Sequence, residues 1–213
     1  MSLIKEEIKI LLYEIRKLSD IVLELTGLCV EVFVNKRKVD GLVKRVEEKS
    51  NVISFSYMEL KEKISQVIAR YQPMADDLRT LISLMEIGYG LNRLGRYSRN
   101  IAQVLEAFQD VEKCDTSTVV APAEVVNRMV EKALKAYEER DASLAREVIA
   151  MDDTVDGAYN SYMKKVIEGK EKDPKCAVAN TLILRYLERM ADHAVQIAEE
   201  SLYMIEGSYL IGR

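Results

Sequence analysis

YLERMADHAVQIAEE (Tyr186–Glu200) lies over GLNRLGRYSRNIAQV (Gly90–Val104) at an offset of 186 − 90 = 96. Leu187 falls on Leu91, and Ile197 and Ala198 fall on Ile101 and Ala102. Both stretches space apolar residues three and four apart, as a helix does when it buries one stripe. A second match sets RDASLAREVIAMDDTVD (Arg140–Asp156) over KVDGLVKRVEEKSNVIS (Lys38–Ser54) at an offset of 140 − 38 = 102. It pairs Leu144 with Leu42, Val148 with Val46 and Val155 with Ile53. The six-residue difference is absorbed by the first hairpin around Pro73. Such self-similarity marks a duplicated supersecondary unit. The expected fold is all-α, two tandem three-helix bundles with pseudo-twofold symmetry, over residues 1–115 and 116–213.

Composition agrees. Only 9 Gly and 3 Pro occur in 213 residues, with 48% hydrophobic and 31% charged, the balance of long helices with charged outer faces. Breakers are expected at KRKVDG (Lys36–Gly41) and YQP (Tyr71–Pro73), with CDTSTVVAP (Cys114–Pro122) as the linker. Segments at about 125–139, 141–168 and 174–206 should follow it. The last carries an apolar seam at Ile183, Leu187, Met190, Ala194 and Ile197, and Asp173-Pro174 is a good N-cap and first-turn pair.

A net charge of −4 and a pI near 5.3 argue against a general nucleic-acid binder. Cys29, Cys114 and Cys176 are odd in number and widely spaced, so buried reduced thiols are expected rather than a disulfide framework. MSLIKEEIKI carries charges where a secretory signal needs an apolar run, and Glu24 and Glu31 interrupt the apolar stretch Ile21–Val34. A soluble, cytoplasmic protein is expected.

Four acids define the candidate site. Asp152 and Asp156 are spaced i, i+4, as are Glu188 and Asp192, so each pair projects from one side of its helix. The turn between them centres near Glu171; Asp156 lies 15 residues before it and Glu188 17 after it. For Asp152 and Asp192 the separations are 19 and 21. In an antiparallel pair these positions share a level. Carboxylates about 5 Å apart repel by roughly 3 kcal/mol per pair at an effective dielectric near 20. A cation, shared protons or splaying into water must relieve that repulsion, and a hard, oxygen-seeking metal is favoured. Glu199, two turns beyond Asp192, is either a further ligand or a solvated acid. Asp153 points about 100° away and should face water. In the first repeat the four positions are Ser50, Ser54, Asn92 and Arg96, so any metal site there is abandoned.

His193, the single histidine, is more simply a packed structural residue than a ligand. It cannot supply the two Glu-x-x-His motifs of a ferritin-like di-iron site. No Gly-rich phosphate loop precedes a helix, and no Ser/His/Asp or Cys/His set assembles. Arg93, Arg96 and Arg99 recur along one side of the third segment. They either pair with neighbouring acids or hold an anion or acidic partner. Asp76 and Asp77 suit the positive end of that helix, and Lys36, Arg37 and Lys38 suit a helix C-terminus.

The chain resembles the PhoU family of phosphate-uptake regulators along nearly its whole length. QPMADDLR (Gln72–Arg79), LERMADHAVQIAEE (Leu187–Glu200) and AREVIAMDDTVD (Ala145–Asp156) carry the likeness. The resemblance implies three-helix bundles able to carry multinuclear metal clusters, with Asp152, Asp156, Glu188 and Asp192 as ligands here. It implies a non-catalytic regulator of a phosphate ABC transporter, contacting the transporter ATPase and, where present, a sensor kinase. Such a protein is peripheral to the membrane through the transporter, and a homodimer is compatible with it. Iron, zinc, manganese and magnesium all remain open as the metal. A metal-dependent phosphohydrolase and a metal-free helical adaptor are the alternatives.

Overall fold

The computed structural model describes residues 3–35, 41–108, 114–115 and 117–208, the side chains of 32–35 aside. Seven helices account for them: α1 (Leu3–Asn35), α2 (Leu42–Tyr71), α3 (Ala75–Ala107), α4 (Ser117–Glu139), α5 (Ala142–Ala150), α6 (Asp152–Ile167) and α7 (Pro174–Glu206). The first three form one repeat; α4, the α5–α6 pair and α7 form the other. The all-α, two-repeat expectation holds. The proposed breaker at Lys36–Asp40 lies outside the described residues.

The internal alignment is visible in burial. Val46 and Val148 are both buried, as are Ile53 and Val155, Leu91 and Leu187, and Ile101 and Ile197. Within the first repeat, glycines let α2 and α3 approach closely. A Cβ on Gly95 would lie 2.9 Å from Ile53 Cδ1, and one on Gly88 2.9 Å from Leu60 Cδ2. The chain reverses at Gln72, which adopts left-handed backbone angles (φ 46°) and donates its N–H to the Ile68 carbonyl.

The repeats meet along α3 and α7, which run antiparallel. Tyr97 stacks on His193 with centroids 5.8 Å apart and on Tyr186 at 6.2 Å. Gly90 lies opposite Ile197 and near the His193 carbonyl. The first and fourth helices join through buried polar contacts: Ser19 with Tyr137 at 2.8 Å, and the Thr26 hydroxyl donating to Asn127 at 2.9 Å. One apolar core therefore runs through both repeats, from Ile8 to Met204.

Three expectations are corrected. The linker is shorter than Cys114–Pro122, because α4 begins at Ser117 and contains Pro122. The bond that this proline forgoes is to the Thr118 carbonyl in the first turn, and burial of Val119, Ala123 and Val126 holds the helix around it. The segment expected at 141–168 is two helices, separated at Met151, where bonds Met151 N–H to Val148 and Thr154 N–H to Met151 have three-residue spacing. Asp141 caps the first of them, accepting from the Ser143 and Leu144 N–H groups. The third correction concerns sulfur. Cys114 and Cys176 form a disulfide, with Cα atoms 5.5 Å apart, and only Cys29 is a free thiol. Sixty-two residues separate the pair. They meet because the inter-repeat connection runs back to the start of α7, where the Asp115 carbonyl accepts from Asn180 Nδ2 at 3.2 Å. The last helix keeps its expected bounds, with Asp173 accepting from the Lys175 and Cys176 N–H groups and Pro174 opening it.

Candidate functional site

The two hairpins share one register. In the first, the Ser54 hydroxyl donates to Asn92 Oδ1 at 2.8 Å, and Tyr57 lies 6.3 Å from Tyr89. Shifted by the repeat offsets, these pairs become Asp156 with Glu188 and Tyr159 with Arg185. The second pair is seen directly, since the Arg185 guanidinium lies 5.6 Å from the Tyr159 ring centroid. The register therefore brings Asp156 level with Glu188, as the turn-centred count requires.

Level placement does not make a metal site. Among the described residues, no group of three or more Asp, Glu, His or Cys side chains stands ready to hold a metal ion. The repulsion is relieved by arginines instead. Arg185 donates to Glu188, whose side chain is only 16% exposed, and Arg189 donates to Asp192 at 3.2 Å. Both arginines precede their acids by three residues, the spacing of neighbours on a helix surface. Asp152 and Asp153 sit in the first turn of α6, where the helix dipole favours negative charge. Asp153 is exposed, as expected, and Glu199 is half-buried. Asp156 Oδ1 is buried with no hydrogen-bond partner. In this arrangement the four acids are not gathered into a ready metal site among the described residues, and the buried Asp156 Oδ1 leaves room for a further donor or cation.

His193 is structural. It is wedged between Tyr89 and Tyr97, with Nδ1 2.9 Å from Gln196 Oε1. Burial holds its pKa below the ordinary histidine range, against the pull of Gln196. The first-repeat arginines behave differently from those of the second. Arg93, the counterpart of Arg189, donates to the Tyr97 hydroxyl and lies over its ring. Arg96 stands where Asp192 would be.

Sequence spacing alone carries the Arg185–Glu188 and Arg189–Asp192 pairs. The cysteine partnership had no such signal, because only the folded path brings residue 114 to residue 176.

Duplicated three-helix units, packed antiparallel through α3 and α7 and diverged on equivalent faces, define a class of two-repeat helical protein. The PhoU domain model matches residues 15–105 and 122–201, and the chain belongs to the PhoU family. A phosphate-specific transport system accessory protein PhoU homolog of Pseudomonas aeruginosa is 32% identical over 176 residues, 79% of this chain and 72% of its own. Homolog 1 of Methanothermobacter thermautotrophicus is 31% identical over 80% of this chain and 84% of its own. The crystal structure of PhoU from Pseudomonas aeruginosa superposes with a TM-score of 0.88 at 27% identity, covering 96% of this chain and 99% of that one.

Proposed function

We propose that this chain is an accessory protein of phosphate-specific transport, restraining a phosphate ABC transporter from its cytoplasmic side by docking rather than by catalysis. Membership of the PhoU family through both repeats carries this reading. Its relatives are named as accessory proteins of that transport system. The contacts proposed are with the transporter ATPase and, where present, a sensor kinase. Among the described residues no helix is long and apolar enough to cross a membrane, so a membrane location would come through the transporter.

The acidic level of α6 and α7 is proposed as the ion-responsive element, in a second arrangement of Asp152, Asp156, Glu188 and Asp192. Two partly exposed ion pairs must open to reach it, at about 0.2–1 kcal/mol each. Micromolar metal affinity corresponds to about 8 kcal/mol, so the arginines alone would not prevent binding. The metal-free adaptor is the second reading, favoured by Arg185 and Arg189 already holding two of the acids.

Uptake of labelled phosphate by cells carrying the transporter tests the first reading. The chain should lower uptake when external phosphate is plentiful and leave it high under starvation. Uptake indifferent to the chain in both conditions would count against it. Metal content of the purified protein by mass spectrometry then separates the ion-responsive reading from the adaptor.

A further inference from the structure

Equivalent faces of the two repeats carry opposite chemistry. Asp152, Asp156, Glu188 and Asp192 on α6 and α7 have Ser50, Ser54, Asn92 and Arg96 as their counterparts on α2 and α3. One turn further on, the buried Val195 has Arg99 as its counterpart. Each acid, which can only accept hydrogen bonds when ionised, has become a residue that can donate one. Four negative charges in the second repeat stand against two positive charges in the first.

Helix geometry gathers these donors. Asn92, Arg96 and Arg99 follow at four- and three-residue spacing, so they form one stripe of α3. The Ser54–Asn92 bond sets that stripe against α2, and the same register puts the buried Ser50 level with Arg96. Because the Ser54 hydroxyl donates to Asn92 Oδ1, Asn92 Nδ2 is left to donate elsewhere. Arg99 Nε is buried and finds no acceptor in the protein. Among the described residues, the arginines with a carboxylate within 4 Å are Arg79, Arg146, Arg185 and Arg189, so Arg96 and Arg99 hold none. Glu47 is level with Arg99 in this register, but it accepts from Gln103 Nε2 at 3.1 Å instead. Arg93 lies on the adjoining face, donates to the Tyr97 hydroxyl and is no part of the set.

We propose that Asn92, Arg96 and Arg99, facing Ser50 and Ser54 across the α2–α3 hairpin, bind a small tetrahedral oxyanion of the phosphate class. Two guanidinium groups one turn apart repel each other, and an oxyanion shared between them replaces that repulsion with charge-assisted hydrogen bonds. Recess favours a free anion over the side chain of an acidic partner. Ser50 is buried, Ser54, Asn92 and Arg99 are half-buried, and Arg96 alone of the five is exposed. The set is also indifferent to a proton on the ligand, since Asn92 Oδ1 is taken by Ser54 and none of the five is a carboxylate. Phosphate and sulfate should therefore be held alike. The site lies in the first repeat, away from the acidic level, and it does not rest on the transporter reading, whose uptake test stands or falls separately.

The test is equilibrium dialysis of radiolabelled inorganic phosphate against the purified full chain, with a chelator present so that no bound metal supplies an anion site. Binding should saturate at a single phosphate per chain. Arg96→Gln and Arg99→Gln should each weaken it by at least about tenfold, the worth of a charge-assisted hydrogen bond. Arg128→Gln, which removes an exposed cation from α4, should leave it unchanged. Unlabelled sulfate should displace the label as well as unlabelled phosphate does, and chloride at equal ionic strength should not. Arg96 is exposed, so an unchanged melting temperature in phosphate-free buffer certifies the fold of Arg96→Gln. Added phosphate should then raise the melting temperature of the native chain and not of that variant. The proposal is overturned by absence of saturable binding, by equal affinity of the native chain and Arg96→Gln, or by displacement with chloride. Failure of sulfate to compete would refute the donor set, and displacement by acetate at the phosphate concentration would assign the arginines to a carboxylate-bearing partner instead.

Discussion

The rings of Tyr97 and His193 stack 5.8 Å apart at 25°, and the two residues are the same position of the two repeats, 193 − 97 = 96. A residue packed against its own counterpart marks the pseudo-twofold axis. The flanking contacts obey it: Tyr97 meets Tyr186 on one side, and on the other its counterpart His193 lies by Gly90, the counterpart of Tyr186. The duplicated helices α3 and α7 thus form an internal version of an isologous dimer interface.

Gly90 is what lets those helices close. A Cβ there would lie 2.7 Å from Ile197 Cγ1 and 3.0 Å from Cδ1, inside normal contact. Gly90→Val should destabilise by about 1–3 kcal/mol, the usual range for overpacking. In a chain of this size that lowers the melting temperature by roughly 2–10 °C. Adding Ile197→Ala should cost less than the two single losses combined, because each change vacates or fills the same space. Strict additivity in a double-mutant cycle would show that α3 and α7 do not meet at this point.

The Cys114–Cys176 bond closes a loop of 62 residues around the second repeat. Chain-entropy arguments put its contribution at up to about 4 kcal/mol. Protein purified without reductant and then denatured should titrate one thiol, Cys29, and three after reduction. Reduction and Cys176→Ser should lower the melting temperature by similar amounts. Three thiols without reductant would show that the pair stands reduced.

Cys29 is buried, with Sγ 3.7 Å from the Ser98 carbonyl oxygen. Burial pushes its thiol up to about 12, against about 8.5 for a cysteine in an unfolded chain. The folded state therefore binds more protons than the unfolded state above that lower value. The resulting stability is complete below about pH 8.5 and is lost as pH rises. Between pH 8.5 and 10 the melting temperature should fall faster for the native sequence than for Cys29→Ala. Tyr137, also raised by burial, enters only above about pH 10. Parallel slopes for the two proteins would place the thiol in water.

What the sequence discloses and what it withholds divide along local and non-local lines. Apolar spacing, the Asp173 cap and the Pro73 turn are local, and they set α7 and the Ser54–Asn92 contact correctly. The break at Met151 is also local but shallow, a change of hydrogen-bond spacing within a helical run that no breaker residue announces. The disulfide depends on the path of the whole second repeat. The acidic level was legible as a register, but its charge balance was not. Whether Glu188 and Asp192 turn toward Arg185 and Arg189 or toward Asp156 is a choice of side-chain rotamer, decided by desolvation and hydrogen-bond energies of about 1 kcal/mol each.

That choice yields opposite signs for two acids at one level. Asp156 Oδ1 is buried without a hydrogen-bond partner, a state that costs free energy in the metal-free protein. Asp156→Asn removes the charge and supplies a donor, so the metal-free melting temperature should hold or rise by up to about 3 °C. Glu188→Gln strands Arg185 instead, and the same measurement should fall by a similar amount. In the presence of manganese the two variants should behave alike. A ligand at a hundredfold excess over its Kd stabilises the native protein by about 2.7 kcal/mol, and each variant should lose that increment if both acids are ligands. A native chain whose melting temperature ignores manganese, iron, zinc and magnesium would remove the metal from the proposed mechanism. The arginine-paired arrangement would then be the working state of the site.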